Sequence, residues 1–221
     1  MRATLTFVGT LVIAIQASSV DGALVAYWHF NTYNGDDHSI TSDLGADAGA
    51  TMTIDALWLN GDLSAQTGHS GNLIGATPVG DGIQFMDAEN NGRGFTLEAD
   101  LSTFANPVLS FDYKRTGNGF NNVDLYYSTD NITFTKFVDV DNVDASYTTH
   151  SYDFSAINAL DGASTAYFRF VLDGASNASG TADFDNIQLN AVPEPSSLAM
   201  LGLGGMALFG ANRRRLRKSR V

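Results

Sequence analysis

No cysteine occurs in the 221 residues, which excludes disulfides, thiolate metal sites, a cysteine nucleophile and a lipidated N-terminal cysteine. Positive charge is scarce as well, with 12 Lys and Arg against 24 Asp and Glu. Seven of those bases (Arg2, Arg213, Arg214, Arg215, Arg217, Lys218 and Arg220) sit at the chain ends. Setting aside Asp21 and Glu194 leaves 22 acids and five bases in the middle, so the body carries about −17. Phosphate contact needs Lys and Arg, and this sign excludes a nucleic-acid-binding body. Helical periodicity is nearly missing, apart from a turn at 155–160, and no repeat recurs at a period of about 20–50 residues. Catalytic signatures are missing too: there is no His-Glu-x-x-His, Gly-x-Ser-x-Gly, Ser-x-x-Lys or P-loop. The length suits one good-sized domain.

What is present begins with an export signal over residues 1–22. Arg2 is a short positive region, Leu5 to Ile15 form an apolar run, and small residues follow at Ala17, Ser18, Ser19, Gly22 and Ala23. Cleavage near Gly22 is favoured, with Ala17 or Ser19 as alternatives; a retained membrane helix is the competing reading, although the run is short of the ~20 residues that a span needs. At the other end, residues 192–221 comprise Val192-Pro193-Glu194-Pro195, an uncharged stretch from Leu198 to Ala211, and the basic cluster Arg213, Arg214, Arg215, Arg217 and Lys218. With Ser196, Ser197 and Asn212 the stretch would make a helix of about 26 Å, a little under the ~30 Å of hydrocarbon. The basic cluster would act as a stop-transfer signal on the cytoplasmic side and leave the acidic body outside.

This order of elements resembles the PEP-CTERM sorting signal of Gram-negative bacteria. The resemblance implies that Pro193, Glu194 and Pro195 are the processing site of an exosortase-type enzyme, which removes the tail after transient insertion in the inner membrane. Two prolines keep the chain there extended, in a form that a membrane-embedded protease can grip. An ordinary C-terminal anchor with a proline-rich linker is the alternative. No Leu-Pro-x-Thr-Gly signal points to the Gram-positive sortase route.

The body, residues 23–191, alternates with period 2 between turn signals. Leu109, Phe111 and Tyr113 alternate with Ser110 and Asp112; Val123, Leu125 and Tyr127 alternate with Asp124, Tyr126 and Ser128; Ile132, Phe134 and Val138 follow on one face. Further strands are expected at Ala23–Phe30, Thr51–Leu59, Ile83–Met86, Phe95–Ala99, Tyr147–Phe154, Ala166–Leu172 and Asp183–Asn190. Ten or so strands with Gly, Asn and Asp turns predict an all-β, two-sheet antiparallel sandwich of jelly-roll type, flanked by the signal peptide and a short C-terminal transmembrane helix.

The run Ser110 to Gly117, Tyr127 to Asn131, Phe168-Arg169-Phe170 and Gly180 to Ile187 is similar to the ectodomains of many PEP-CTERM proteins and to galactose-binding-like sandwiches. That resemblance implies a structural calcium ion beside the final strand, with Asp185 as a ligand. No second ligand stands out; Asn31, Asp36 and Asp37 are candidates. Asp185 shares its parity with Ile187 and Leu189, so it is expected to point inward, where a bare carboxylate would need a cation, a proton or hydrogen bonds. The bland alternative is a cap that accepts backbone N–H bonds.

Other chemistry is thin. Gly68-His69-Ser70-Gly71 lacks the nucleophile-turn ending, and His29, His38, His69 and His150 have no ligand spacing. Glu89 and Glu98 are the body's only glutamates and could form a glycosidase pair only if the fold brought them together. Asp139 to Asp144 starts like an EF-hand but has Asp144 where glycine is required. Trp28, Trp58, Tyr33, Tyr126, Tyr127 and Tyr152 could stack on sugar rings; Trp28 reads as core, and Tyr126 as the better exposed candidate.

The expectation is therefore an exported cell-surface or matrix protein that is not an enzyme, a structural component associated through the resemblance with exopolysaccharide and biofilm. Its partners would be signal peptidase, an exosortase-type enzyme and extracellular polysaccharide. A carbohydrate-binding module that grips the polysaccharide is the alternative, and a secreted hydrolase is the third reading. A sheet face lined by exposed aromatics would favour binding over a passive scaffold.

Overall fold

The computed structural model describes residues 22–140 and 145–194. The signal peptide, the membrane span, Pro195 and the basic cluster from Arg213 to Lys218 lie outside the described residues, as do positions 141–144 of the EF-hand-like run. Among the described residues no helix is long and apolar enough to cross a membrane.

Among the described residues, twelve strands form two antiparallel six-stranded sheets. The first contains β1 (Ala23–Trp28), β4 (Leu63–Thr67), β5 (Asp81–Met86), β7 (Phe104–Arg115), β10 (Thr148–Asp153) and β12 (Thr181–Pro193) in the order β10-β7-β12-β5-β4. Strand β12 is long enough to pair β5 along its first half and β1 along its second. The second sheet runs β2 (Ser39–Thr41), β3 (Thr51–Ile54), β6 (Arg93–Ala99), β11 (Ala166–Asp173), β8 (Asn122–Ser128) and β9 (Thr135–Asp139). The expected sandwich is present, and the region read as a turn at 155–160 is a succession of turns.

The core is aromatic. Phe184 of β12 meets the rings of Phe85, Phe95, Phe111, Tyr113 and Phe170 at centroid distances of 4.5 to 5.9 Å, bridging the two sheets. Trp28, Trp58 and Tyr33 are buried as well, which removes them from the surface aromatics that could stack on sugars. Tyr127 and Tyr152 are half-buried and pack against the same core.

Two segments depart from the expected strands. The chain leaves β3 at Ile54 rather than Leu59, because Asp55 starts a turn (Trp58 N–H to Asp55 O, 2.9 Å) while its carboxylate takes Gly94 N–H at 2.8 Å. After β8 the backbone also turns early. Asp130 Oδ1 accepts Thr133 N–H at 2.8 Å and Ile132 N–H at 2.9 Å, and these bonds hold its carboxyl down to about 2. Ile132, expected on a buried face, is therefore 85% exposed. Period-2 reading sees apolar alternation but not a side chain that competes for backbone N–H groups.

Candidate functional site

The outer face of the second sheet carries a continuous cross-strand row. Ser39 lies opposite Thr53, Thr53 opposite Thr96, Thr96 opposite Arg169, Arg169 opposite Tyr126, and Tyr126 opposite Lys136. Six strands spaced about 4.8 Å apart make this row roughly 24 Å long. A parallel row beside it runs Thr41, Thr51, Glu98, Tyr167 and Ser128. Alternation along β11 explains the placement: Phe168, Phe170 and Leu172 go into the core, so Tyr167 and Arg169 must face out.

Two depressions lie along these rows. One, of about 270 Å³, is lined by Thr53, Asp55, Thr96, Glu98, Tyr167 and Arg169, with Asn131 at its lip. Its shallower neighbour, about 610 Å³, lies over β2 and β3 and shares Thr53, Ile54 and Ala56 with the first. Leu59, 64% exposed, lines the second, and Leu57, 72% exposed, precedes it by two residues.

The side chains of this face are held in place. Arg169 Nη2 lies 3.0 and 3.2 Å from the two oxygens of Asp55, and its guanidinium sits 5.8 Å from the Phe134 ring. Tyr126 donates to Asp124 Oδ2 at 3.0 Å. Lys136 pairs with both Asp124 and Asp139. Burial, and then the neighbouring carboxylates, raise both Tyr126 and Tyr167, so the phenols stay neutral hydrogen-bond donors. Both cations of the face are thus spent on carboxylates. Tyr126 was readable in the sequence as an outward aromatic; Tyr167 and Arg169 were missed, although the Phe168–Phe170–Leu172 alternation around them carried the signal.

Asp185, the sequence candidate for a metal ligand, occupies a different place. It faces away from the core, on the outer side of the first sheet beside Asp183 and opposite Asp112 of β7. Asn186 adopts φ +49° and forms a bulge, so the parity that links Asp185 to Ile187 and Leu189 is broken between them. The expected inward orientation is corrected accordingly, yet Asp185 is only 2% exposed because the 68–80 segment covers it. Gly68 makes this close approach feasible, since a Cβ there would stand 2.5 Å from Asp185 Oδ2.

A polar network lies under that cover. Asp185 accepts His69 N–H at 2.6 Å and Asn186 N–H at 2.7 Å, and Asn186 Nδ2 stands 3.2 Å from both Asp185 and Asp112. His69 Nδ1 lies 3.1 Å from Asp112 Oδ2, Thr149 donates to Asp112, and Tyr27 donates to Asn186 Oδ1 at 2.6 Å. Burial and the charge of Asp112 push Asp185 up to about 7, against the pull of its two backbone N–H donors.

This donor set bears directly on calcium. The ion takes six to eight oxygens. Asp185 accepts N–H bonds here, four oxygens (His69 O, Gly71 O, Asp112 Oδ2 and Asp185 Oδ2) surround Asn186 Nδ2, and no group of three or more His, Asp or Glu suited to a metal exists among the described residues. The two N–H bonds that Asp185 accepts suit a cap that needs no metal. Asn31 instead pins the 78–81 segment, accepting Asp81 N–H at 3.0 Å and donating to Pro78 O at 3.2 Å. We expect equal melting midpoints in millimolar calcium and in chelator; a rise with calcium would restore the metal reading.

The remaining candidates separate. Glu89 sits in the turn before β6 and Glu98 near its far end, about 17 Å away along the strand, beyond the roughly 5–10 Å of a glycosidase pair. Pro193 still belongs to β12, opposite Phe104, and Glu194 N–H bonds Thr103 O at 2.8 Å. The sheet therefore runs two residues past the expected boundary at 191, directly into the Pro-Glu-Pro segment.

Comparison with known proteins places a PEP-CTERM protein-sorting motif at residues 191–215. No curated protein matches the chain. Among solved structures, TmCBM61 in complex with β-1,4-galactotriose is similar at TM-score 0.42 and 10% identity, covering 73% of this chain and 92% of that one. The CBM22-1 xylan-binding domain of Paenibacillus barcinonensis Xyn10C is similar at 0.44 and 11%, covering 80% and 100%. An exo-β-agarase is similar at 0.48 and 13%, covering 78% of this chain and 26% of its own.

Proposed function

We propose that this is an exported surface protein, sorted through its C-terminal motif, whose body binds a neutral polysaccharide along the outer face of the second sheet. The observation that carries the reading is the outward set Tyr167, Arg169 and Tyr126 at a trough that crosses the strands, which Tyr167 and Arg169 line and next to which Tyr126 lies opposite Arg169. A pyranose offers C–H faces and hydroxyl edges. Aromatic rings pack against the first, and Thr53, Thr96, Glu98 and Asn131 can exchange hydrogen bonds with the second. The charge of the ligand follows from the pairing. Arg169 and Lys136 are paired with Asp55, Asp124 and Asp139, and with Glu98 the face holds more carboxylates than cations, so a carboxylated chain would meet repulsion with no free cation to offset it.

The motif supports export and processing by an exosortase-type enzyme, and the acidic body suits a hydrated extracellular surface. Binding, rather than catalysis or passive scaffolding, is what the outward aromatics favour. Affinity electrophoresis of the full chain through gels that contain neutral xylan, glucan or galactan tests the reading. Retardation by at least one neutral polymer, and none by polygalacturonate, is the expected result; free migration in every gel would overturn it.

A further inference from the structure

The sorting motif begins inside the fold. Its matched residues start at Ala191, which is 1% exposed and still lies opposite Ala23 of β1. Val192 then lies opposite Ala105, Pro193 opposite Phe104, and Glu194 N–H bonds Thr103 O at 2.8 Å. Two residues of Pro193-Glu194-Pro195 are thus held by the sheet, with no linker between the body and the motif. Proline is tolerated there because the ladder asks nothing of its nitrogen. The β1 ladder ends at Ala191, so beyond that point β12 pairs with β7 alone among the described residues. Phe104, opposite Pro193, donates its N–H to Leu101 O and accepts Gly162 N–H, both at 2.9 Å. A strand proline fits such an edge.

The same features make this end the weak part of the strand. Asn106, at φ +54°, and Pro107 together stand opposite Ala191, so a bulge separates the last pairs from the regular ladder. Val192 and Pro193 are half-buried and Glu194 is exposed. Opening residues 192–194 therefore gives up few hydrogen bonds and little apolar area, while Leu189 and Ala191 stay in the core.

A protease takes its substrate extended and clear of other partners, and cleavage of a folded chain follows the population of the locally open state when opening is fast. We propose that the first sheet gates its own sorting: an exosortase-type enzyme takes the chain only after Val192 to Glu194 has peeled from β7, so the rate of tail removal is set by how often this end opens. The inference rests on the sorting reading above. Cleavage breaks one peptide bond, whose acyl half stays with the body and passes to water or an acceptor amine, while the amine half leaves with the tail. The gate acts before that step.

The test follows tail removal from the full chain in Gram-negative cells that carry an exosortase-type enzyme, by pulse-labelling and gel mobility. The chain holds no cysteine, so Val192→Cys combined with Ala105→Cys makes a single cross-strand pair whose disulfide locks the end. The oxidised pair is expected to keep its tail and to lose it once dithiothreitol is added. Inserting Gly-Ser-Gly-Ser-Gly-Ser between Ala191 and Val192 carries the motif off the sheet and should speed removal about ten-fold, the factor for one or two net hydrogen bonds. Hydrogen exchange at the Glu194 amide of the full chain in detergent micelles needs no enzyme: it should be slow in the parent and as fast as in an unfolded chain in the insertion variant. Parent-rate removal in the oxidised pair or in the insertion variant, or unprotected exchange at Glu194 in the parent, overturns the gate while the sorting reading stands. No removal from any form, the insertion variant and the reduced pair included, overturns the sorting reading and the gate with it.

Discussion

Tyr167→Ala is expected to lower affinity for the proposed neutral polysaccharide by about thirty-fold, because roughly 2 kcal/mol of ring contact would be lost in the trough. The fold survives the change, since Tyr167 lies on the outer face and its neighbours Phe168 and Phe170 keep the core. Tyr126→Ala acts in the same direction, and Tyr126→Phe has a smaller effect, because it keeps the ring and loses only the 3.0 Å bond to Asp124. Isothermal titration with the best-retarded polymer, at low and at high salt, measures these losses. Affinity should be nearly independent of salt, as expected for an uncharged ligand. A strong salt dependence, or full affinity in Tyr167→Ala, would remove the outer face as the binding surface.

The second large effect is on stability. The Asp185 carboxyl titrates near 7 in the folded chain, against 3.8 as its ordinary value. The folded state therefore holds this proton more tightly than the unfolded state does. Its contribution is fully present below about pH 4, is lost progressively as pH rises, and is gone above about pH 7. The raised value sets an upper bound of about 4 kcal/mol on that loss. Asp100, Asp130 and Asp153 are held below their ordinary values by hydrogen bonds, and they act in the opposite direction. Their gains are complete by about pH 5, but burial holds His150 below 6.5 and makes stability rise with pH in the same window, so the contribution of Asp185 between pH 5 and 8 is the difference between the parent and Asp185→Asn. A urea midpoint that falls across that window relative to Asp185→Asn is the expected result. Profiles of the same slope in the parent and in Asp185→Asn would show that Asp185 titrates at its ordinary value.

Much of this molecule was legible one residue at a time. Alternation in Leu109–Tyr113 and Ala166–Leu172 marks strands whose apolar faces do form the core, and Thr116–Gly119 does turn the chain where small polar residues cluster. The ordered tail signal was legible for a different reason: its proline, span and arginine features occur in one local stretch and need no tertiary partner. Tyr167 and Arg169 were legible in principle, as the outward members of a strand with an inward phenylalanine pattern. The short strands Ser39–Thr41 and Leu63–Thr67 were not, because three to five residues at a sheet edge carry too little alternation to stand out.

The sequence by itself determined the all-β class, the acidic sign of the body, the lack of thiol chemistry and the sorting motif. Each of these depends on composition, or on neighbours within a few positions. Tertiary structure alone decided the rest. Period-2 alternation states which residues share a face, but not which face a distant segment will cover. Asp112 and Asp185 are buried because residues 68–80 fold over the outer side of their sheet, and the left-handed backbone at Asn186 reverses the parity that the sequence pattern assumed. The trough is likewise a product of strand order. Thr53, Thr96, Arg169 and Tyr126 are scattered over more than a hundred positions, and only the β3-β6-β11-β8 pairing sets them in one line.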